Sequence, residues 1–358
     1  MKISKIELFN YRKYIKRTIE FGPNVNLIYG ENATGKSTIL EAVQYAIMLR
    51  STKTRDDSEM IAFNKSESII KASFEDQKVK KNVNVLISKY FKKMNCDGVD
   101  VKKASDFIGF ADVVAFGTED VFAVSGAPSE RRKMLDMFCS QYDYEYMVVL
   151  KKYKNLLKER NSMLKELDFQ NKHNNILLDI LDEKMYEQAV ILIEKRKNIL
   201  TALNSIMKKT HFHLSEKSEK CELMYRINAK ELELHNVFKT NKNKDIVLKT
   251  TTLGPHRDDF LFYINDNDLS KFGSQGQKKT AMLSFKMACF CLLELKKQRK
   301  PIILLDDVFG ELDSNRQNNL LKFIKNDTQV LITTPTLSEL NEEIIKNAHI
   351  IYLEKEEM

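Results

Sequence analysis

One stretch, GENATGKST at Gly30–Thr38, constrains this chain more than any other. It follows VNLIY, an apolar run that reads as a buried strand. It precedes KSTILEAVQYAIML, whose Ile39, Leu40, Val43, Ala46 and Ile47 keep a helical period with one buried face. Two glycines, Gly30 and Gly35, let the backbone curl until successive N–H groups point at one centre, and Lys36 and Ser37 follow at once. A strand, loop and helix of this composition form a phosphate cradle. The helix start adds partial positive charge, Lys36 reaches the β- and γ-phosphates, and the Ser37 hydroxyl is placed to bind Mg²⁺. The competing reading is a chance match in a turn before a helix, and both flanking elements argue against it.

Such a loop needs an acidic element to hold the metal and orient water. PIILLDDVFGELD supplies one: Ile302–Leu305 form a short apolar strand, and Asp306 stands at its carboxyl end, where open α/β sheets place their ligands. Asp307 follows, and successive side chains diverge, so Asp306 is expected on the metal side and Asp307 toward the attacking water. The plainer reading is a strand ending in a polar turn. Loop and acid lie about 270 residues apart, more than a compact domain needs, so the nucleotide core is expected from the two chain ends around an insertion.

The insertion is visible in composition. From about residue 141 to 203 the chain is lysine-rich, helical in pattern and free of glycine; Val149, Tyr153, Leu156, Met163 and Leu167 keep roughly helical period, which suggests a short antiparallel arm. Lys151, Lys152, Lys154, Lys158, Arg160 and Lys165 crowd its first helix, either as a solvated face or as a surface for nucleic-acid phosphates. Residues 65–115 read as short strands, 210–245 are poorly patterned, and PIILLDDVF, TQVLITT and HIIYLE read as strands buried on both faces of a parallel sheet. In GSQGQ, before a further helix, Ser274, Gly276 and Gln277 form either a second anion-facing helix start or an ordinary cap. The expected organisation is an α/β core from residues 1–140 and 246–358 with a helical insertion at 141–245.

Whole-chain composition is permissive. Of 358 residues, 58 are Lys or Arg and 50 Asp or Glu, a formal +8 that allows an anionic partner without demanding one. The five cysteines lack CxxC spacing and read as reduced thiols of a cytosolic protein. No apolar run approaches the roughly 18 residues of a membrane span, and the first residues do not read as a signal peptide.

GENATGKST, SQGQ and LLDDVFGELD, in this order around a helical insertion, resemble the ABC-type ATPases of the SMC-like branch. LFNYRKY, SGAPSERRKMLD, LGPHRDD and the short arm narrow the resemblance to the RecF family. It implies an ABC-type P-loop ATPase head whose first lobe comes from both chain ends, with a mostly helical second lobe inserted. It implies ATP and Mg²⁺ as ligands, with Gly30, Glu31, Asn32, Ala33, Thr34, Gly35, Lys36, Ser37 and Thr38 around the nucleotide. Ser37 and Asp306 would hold the metal, and Lys36, Asp306, Asp307 and Ser274 would carry the chemistry. Ser274, Gly276 and Gln277 would act on the nucleotide of a second copy, Asp313 would couple the two sites, and Arg12 would lie near the phosphates. The implied activity is an ATP-dependent homodimer that clamps DNA in cytoplasmic recombinational repair, together with recombination-mediator proteins.

Departures from the family pattern point to slow hydrolysis. Ala33 stands where a glycine is usual, LITTPT carries Thr333 and Thr334 in place of a switch histidine, and Thr118 and Glu119 lie near the place of the glutamine loop. His256 invites a catalytic reading but is expected to be a satisfied structural histidine. A small-molecule phosphotransferase or a transporter subunit would also use the phosphate loop, but neither needs both SQGQ and the arm.

Overall fold

The computed structural model describes residues 1–54, 56–76, 79–103, 107, 109–166, 172–215, 219–229, 238, 240–311, 314–324, 327–338 and 340–355. The chain forms two compact units, one from residues 1–120 and 289–358, the other from 121–288. Helices of ten or more residues are numbered α1–α6.

In the first unit the strands β1 (Lys2–Tyr11), β2 (Tyr14–Glu20), β4 (Glu67–Asp76), β5 (Val79–Ser88), β6 (Lys92–Cys96) and β7 (Val99–Val101) form an antiparallel sheet of order β2-β1-β4-β5-β6-β7. Alternation decides its faces. In β4, Ser68, Ile70, Ala72 and Phe74 are buried, and the residues between them are not. The strands β3 (Val25–Tyr29), β8 (Val113–Gly117), β12 (Ile302–Asp306), β13 (Val330–Thr334) and β14 (His349–Tyr352) form a second, wholly parallel sheet of order β14-β3-β13-β12-β8. α1 (Lys36–Met48) touches β4 of the first sheet and β8, β12 and β13 of the second, which is why it is buried almost all round. β12 and β13 have the continuous burial their apolar runs predict. β14 does not: it is the edge strand, and His349, Ile350 and Tyr352 are exposed. α6 (Ser314–Phe323) lies between β12 and β13 in the chain.

The second unit contains α2 (Pro128–Tyr142), with proline in its first turn, α3 (Tyr144–Glu166) and α4 (Lys172–Leu214). Ion pairs fix how α3 and α4 run: Lys195 meets Glu145, whereas Asp182 meets Arg160, so they are antiparallel as expected. The buried seam of α3 is Tyr146, Val149, Leu150, Tyr153, Arg160 and Leu164. Leu156 and Met163 are only half-buried, and Leu167 lies outside the described residues. A strand that the sequence pattern misses, β9 (Cys221–Arg226), pairs with β10 (Asp259–Ile264), which also carries the two-residue β11 (Asn267–Asp268).

The units divide the chain at 120 and 288 rather than at 140 and 245. The cause is contact: α2 packs on α3 and β10, so residues 121–140 and 246–288 belong with the helical insertion. The second division falls inside α5 (Gln275–Lys297).

Candidate functional site

The loop after β3 is held from outside. Gly30 (φ 156°) would drive a Cβ into the carbonyl of Leu353, and Gly35 (φ 95°) would drive one into the Tyr14 hydroxyl. The Tyr14 hydroxyl donates to the Thr34 carbonyl (2.9 Å) and Lys13 Nζ to the Ala33 carbonyl (2.7 Å). Thr34 Oγ1 donates to the Glu31 carbonyl (2.9 Å), which closes the loop on itself. Ala33 keeps the left-handed conformation of the usual glycine (φ 68°), a strain of about 1–3 kcal/mol. Glu31, Asn32 and Ala33 face solvent, while Thr34 and Lys36 are buried. Lys36 Nζ donates to the carbonyls of Gly30 (2.8 Å) and Glu31 (3.0 Å), neutral partners that a phosphate outcompetes. Gly35 caps α1 and its carbonyl accepts the Thr38 N–H (3.1 Å), so the N–H groups of Lys36 and Ser37 open the helix on the loop side.

The parallel sheet brings the acid to the loop. Asp306 ends β12 in register with Thr333 on β13, the strand that lies between β12 and β3. Ser37 Oγ donates to Asp306 Oδ1 at 2.6 Å across 269 residues of chain. Thr333 Oγ1 donates to the same oxygen (2.8 Å) and accepts the Asp307 N–H (3.0 Å). A hydroxyl and a carboxylate converging at the carboxyl edge are the hard oxygens that Mg²⁺ takes from protein when phosphates and water complete its shell. The residues present therefore fit that ion.

Asp307, the next residue, is held less well. It adopts the left-handed conformation (φ 54°), its Oδ1 is buried without a hydrogen-bond partner among the described residues, and burial followed by the charge of Asp306 raises its pKa. Strain, an orphaned oxygen and a raised pKa together make Asp307 a candidate for chemistry rather than packing.

The remaining candidates divide. Arg12 turns its guanidinium to Glu41 of α1 in a bidentate pair (Nη2 at 2.8 Å and Nε at 3.1 Å) and to the Glu59 carbonyl. Thr118 and Glu119 begin a short turn after β8, whose Gly117 is in register with Asp306. Thr334 Oγ1 is occupied by the Thr336 carbonyl (2.7 Å). Asp313 lies outside the described residues. Sequence reasoning missed Lys53, whose Nζ is 3.1 Å from Asp306 Oδ2. Its only signal was a cation shortly after the helix that the loop opens.

In the second unit, Ser274 and Gln277 form a reciprocal cap at the start of α5. Ser274 Oγ accepts the Gln277 N–H (3.2 Å), and Gln277 Oε1 accepts the Ser274 N–H (2.9 Å). Gln277 Nε2 also donates to Glu219 (2.7 Å). A Cβ at Gly276 would meet Ser274 Oγ at 3.9 Å, an ordinary contact, so internal packing does not demand a glycine there. His256 is satisfied at both nitrogens, by the Tyr153 hydroxyl (2.7 Å) and the Thr251 carbonyl (3.1 Å), and burial lowers its pKa to about 4. The neighbouring charges of SGAPSERRKMLD and LGPHRDD are structural. Arg131 pairs bidentately with Asp259, and buried Arg196 bonds Asp136, Asp258, the Tyr146 hydroxyl and the Pro255 carbonyl. Arg160 belongs to a similar cluster with Asp182, Asp245 and Thr251; it is fully buried, so it is not part of any exposed basic surface.

Comparison with known proteins agrees with this geometry. A family model described as an AAA domain matches residues 5–355. The DNA replication and repair protein RecF of Ligilactobacillus salivarius is 36% identical over 99% of this chain and 96% of its own. The chain belongs to the RecF family. The RecF of Halalkalibacterium halodurans is 33% identical over 99% of this chain and 98% of its own. The solved structure of the recombination mediator protein RecF-ATP in the RecFOR pathway superposes with a TM-score of 0.88 at 33% identity, covering 95% of this chain and 93% of that one. The Smc head domain of Pyrococcus furiosus, at 16% identity and a TM-score of 0.53 over 99% of this chain and 94% of that one, shares the fold alone. The RecF architecture here is thus an ABC-type ATPase head, its first lobe made from both chain ends, with a mostly helical lobe inserted. No described helix is long and apolar enough to cross a membrane.

Proposed function

We propose that this chain is an ATP- and DNA-binding protein of recombinational repair that dimerises around ATP and Mg²⁺, clamps DNA, and hydrolyses ATP slowly in the cytoplasm. One observation carries the nucleotide half of this reading: the 2.6 Å bond between Ser37 and Asp306. It brings loop hydroxyl and strand carboxylate together as a metal site beside a phosphate cradle. The ATP-bound RecF structure and the repair role in the names of the relatives support the rest.

The roles follow from position. The N–H groups of Gly30–Thr38 and the Lys36 ammonium bind the phosphates. Ser37 and Asp306 hold Mg²⁺, which, when bound, offsets phosphate charge and polarises the γ-phosphoryl group. Asp307, whose raised pKa makes its carboxylate a stronger base than an ordinary aspartate, is assigned the proton of the attacking water. Ser274, Gly276 and Gln277 present a capped helix start with room above Gly276, suited to a phosphate chain held by a second copy. Asp313 is assigned with them to the contact between copies. Arg12, engaged with Glu41 of α1 and the Glu59 carbonyl, is assigned to the phosphates only once nucleotide draws it from them.

Sedimentation mass with and without ATP tests the dimer. Wild type is expected to double its mass with ATP, Lys36→Ala to stay monomeric for lack of nucleotide, and Ser274→Arg to bind ATP yet stay monomeric. ATP-driven dimerisation of Ser274→Arg would remove the signature from the site.

For DNA, the exposed cations of α3 are Lys151, Lys152, Lys154, Lys158 and Lys165, without Arg160. Backbone-phosphate contacts of this kind lose affinity steeply with salt. Duplex binding should strengthen with ATP and Mg²⁺ and weaken by about tenfold or more between 50 and 200 mM salt. Binding indifferent to salt and nucleotide would leave the ATPase without its clamp. Recombination-mediator proteins are the expected loading partners, on the name of the solved relative alone.

A further inference from the structure

Asp306 is approached by two kinds of group. On Oδ1 it accepts from the hydroxyls of Ser37 and Thr333; on Oδ2 it faces the Lys53 ammonium at 3.1 Å. The segment that carries Lys53 is anchored well. Ser51 Oγ donates to Glu41 (2.5 Å) and accepts the N–H groups of Lys53 (2.9 Å) and Thr54 (3.2 Å). Thr54 Oγ1 bonds Glu59, and Glu41 in turn is gripped by Arg12. The backbone at Lys53 is therefore fixed, and its long side chain, one-third exposed, can swing the ammonium off Asp306.

We propose that Lys53 is a tethered cation that competes with Mg²⁺ for the Asp306 carboxylate and so sets the metal concentration at which nucleotide is held. The inference rests on Ser37 and Asp306 being the metal site. A divalent ion on Asp306 would lie within a few ångströms of a monovalent cation already on the same carboxylate, and like charges so close in a partly shielded edge repel. The ion must therefore displace Lys53 or bind more weakly beside it. The anchoring chain makes Arg12 a positioning residue at one remove: through Glu41 and Ser51 it holds the segment that presents Lys53.

The test is Mn²⁺ binding read by electron paramagnetic resonance, with ATP at saturating concentration and no turnover measured. Lys53→Met is expected to lower the Mn²⁺ concentration for half-saturation by about tenfold, the order of size of one removed close charge near a protein surface. Lys53→Arg, which keeps the charge, should stay near wild type. In an Asp306→Asn background Lys53→Met should change nothing. Unchanged or weaker Mn²⁺ binding in Lys53→Met overturns the competition. A full Lys53→Met effect that persists in Asp306→Asn overturns Asp306 as the shared ligand. Failure of the underlying nucleotide reading looks different, since wild type would then not retain ATP at any Mn²⁺ concentration.

Discussion

Lys36 and Arg196 are both cations taken out of water, one in each unit, and their partners differ in kind. The Lys36 ammonium rests on two neutral carbonyls, beside a carboxylate with an unpartnered oxygen and two left-handed non-glycine residues. Arg196 is enclosed by two carboxylates, a phenol and a carbonyl, with its ring neighbour Phe260 below the guanidinium. The first arrangement is under-satisfied and improves when an anion arrives. The second is saturated and has nothing left to offer a ligand. Charge in a motif therefore says little about function until its partners are counted.

The sharpest way to break that contrast is Arg196→Met. Asp136 and Asp258 would remain buried with a partner gone, so the chain should lose about 3–5 kcal/mol of stability, read by urea denaturation of the second unit. The fraction still folded should bind nucleotide with unchanged affinity. A stable Arg196→Met protein that fails to bind nucleotide would transfer the network from scaffold to site.

Asp307→Asn probes the under-satisfied side. The carboxylate has a raised folded-state pKa, so its charged form is disfavoured in the fold and stability is lost as pH rises through that pKa. The neutral amide should leave the protein as stable as wild type at neutral pH, or more stable by up to about 1 kcal/mol after allowance for solvent. Hydrolysis in a single-turnover assay should fall by about 10²–10⁴-fold with ATP still bound. Loss of stability with hydrolysis intact would make Asp307 a structural residue like Asp258.

His256 gives no effect at neutral pH and one only in acid. Its folded pKa of about 4 lies below the unfolded 6.5, so the unfolded chain takes up a proton that the native one refuses. The contribution is complete above pH 6.5 and is lost as pH falls toward 4, with a slope of at most about 1.4 kcal/mol per pH unit. His256→Gln should flatten that slope in denaturation curves between pH 6.5 and 4. An unchanged slope would place the acid sensitivity in other groups.

The nucleotide loop was legible because it is written in backbone terms. Two glycines, a lysine and a hydroxyl between an apolar strand and a helix have few other uses. The acidic strand was legible because burial on both faces leaves an uninterrupted apolar run that ends where the ligand sits. Arg160 was misread because an arginine among lysines on a helix looks solvated, and its carboxylates lie 22 and 85 residues away. Lys53 was unreadable for the same reason, its partner being 253 residues distant. β14 has the composition of a buried strand, but its place at the sheet edge is a property of the whole order of strands. Local chemistry is read from local sequence, whereas pairing across the chain is settled only by topology.

The wall behind Gly30 has a consequence in time. The Leu353 N–H donates to the Tyr29 carbonyl (2.9 Å), and the Leu353 carbonyl packs where a side chain at residue 30 would be. A loop at Gly30–Thr38 thus waits for a segment made much later, at Leu353, before its shape is complete. A nascent or prematurely terminated chain carries the phosphate-binding motif in full and still lacks the strand that supports it. Such fragments should be silent toward nucleotide.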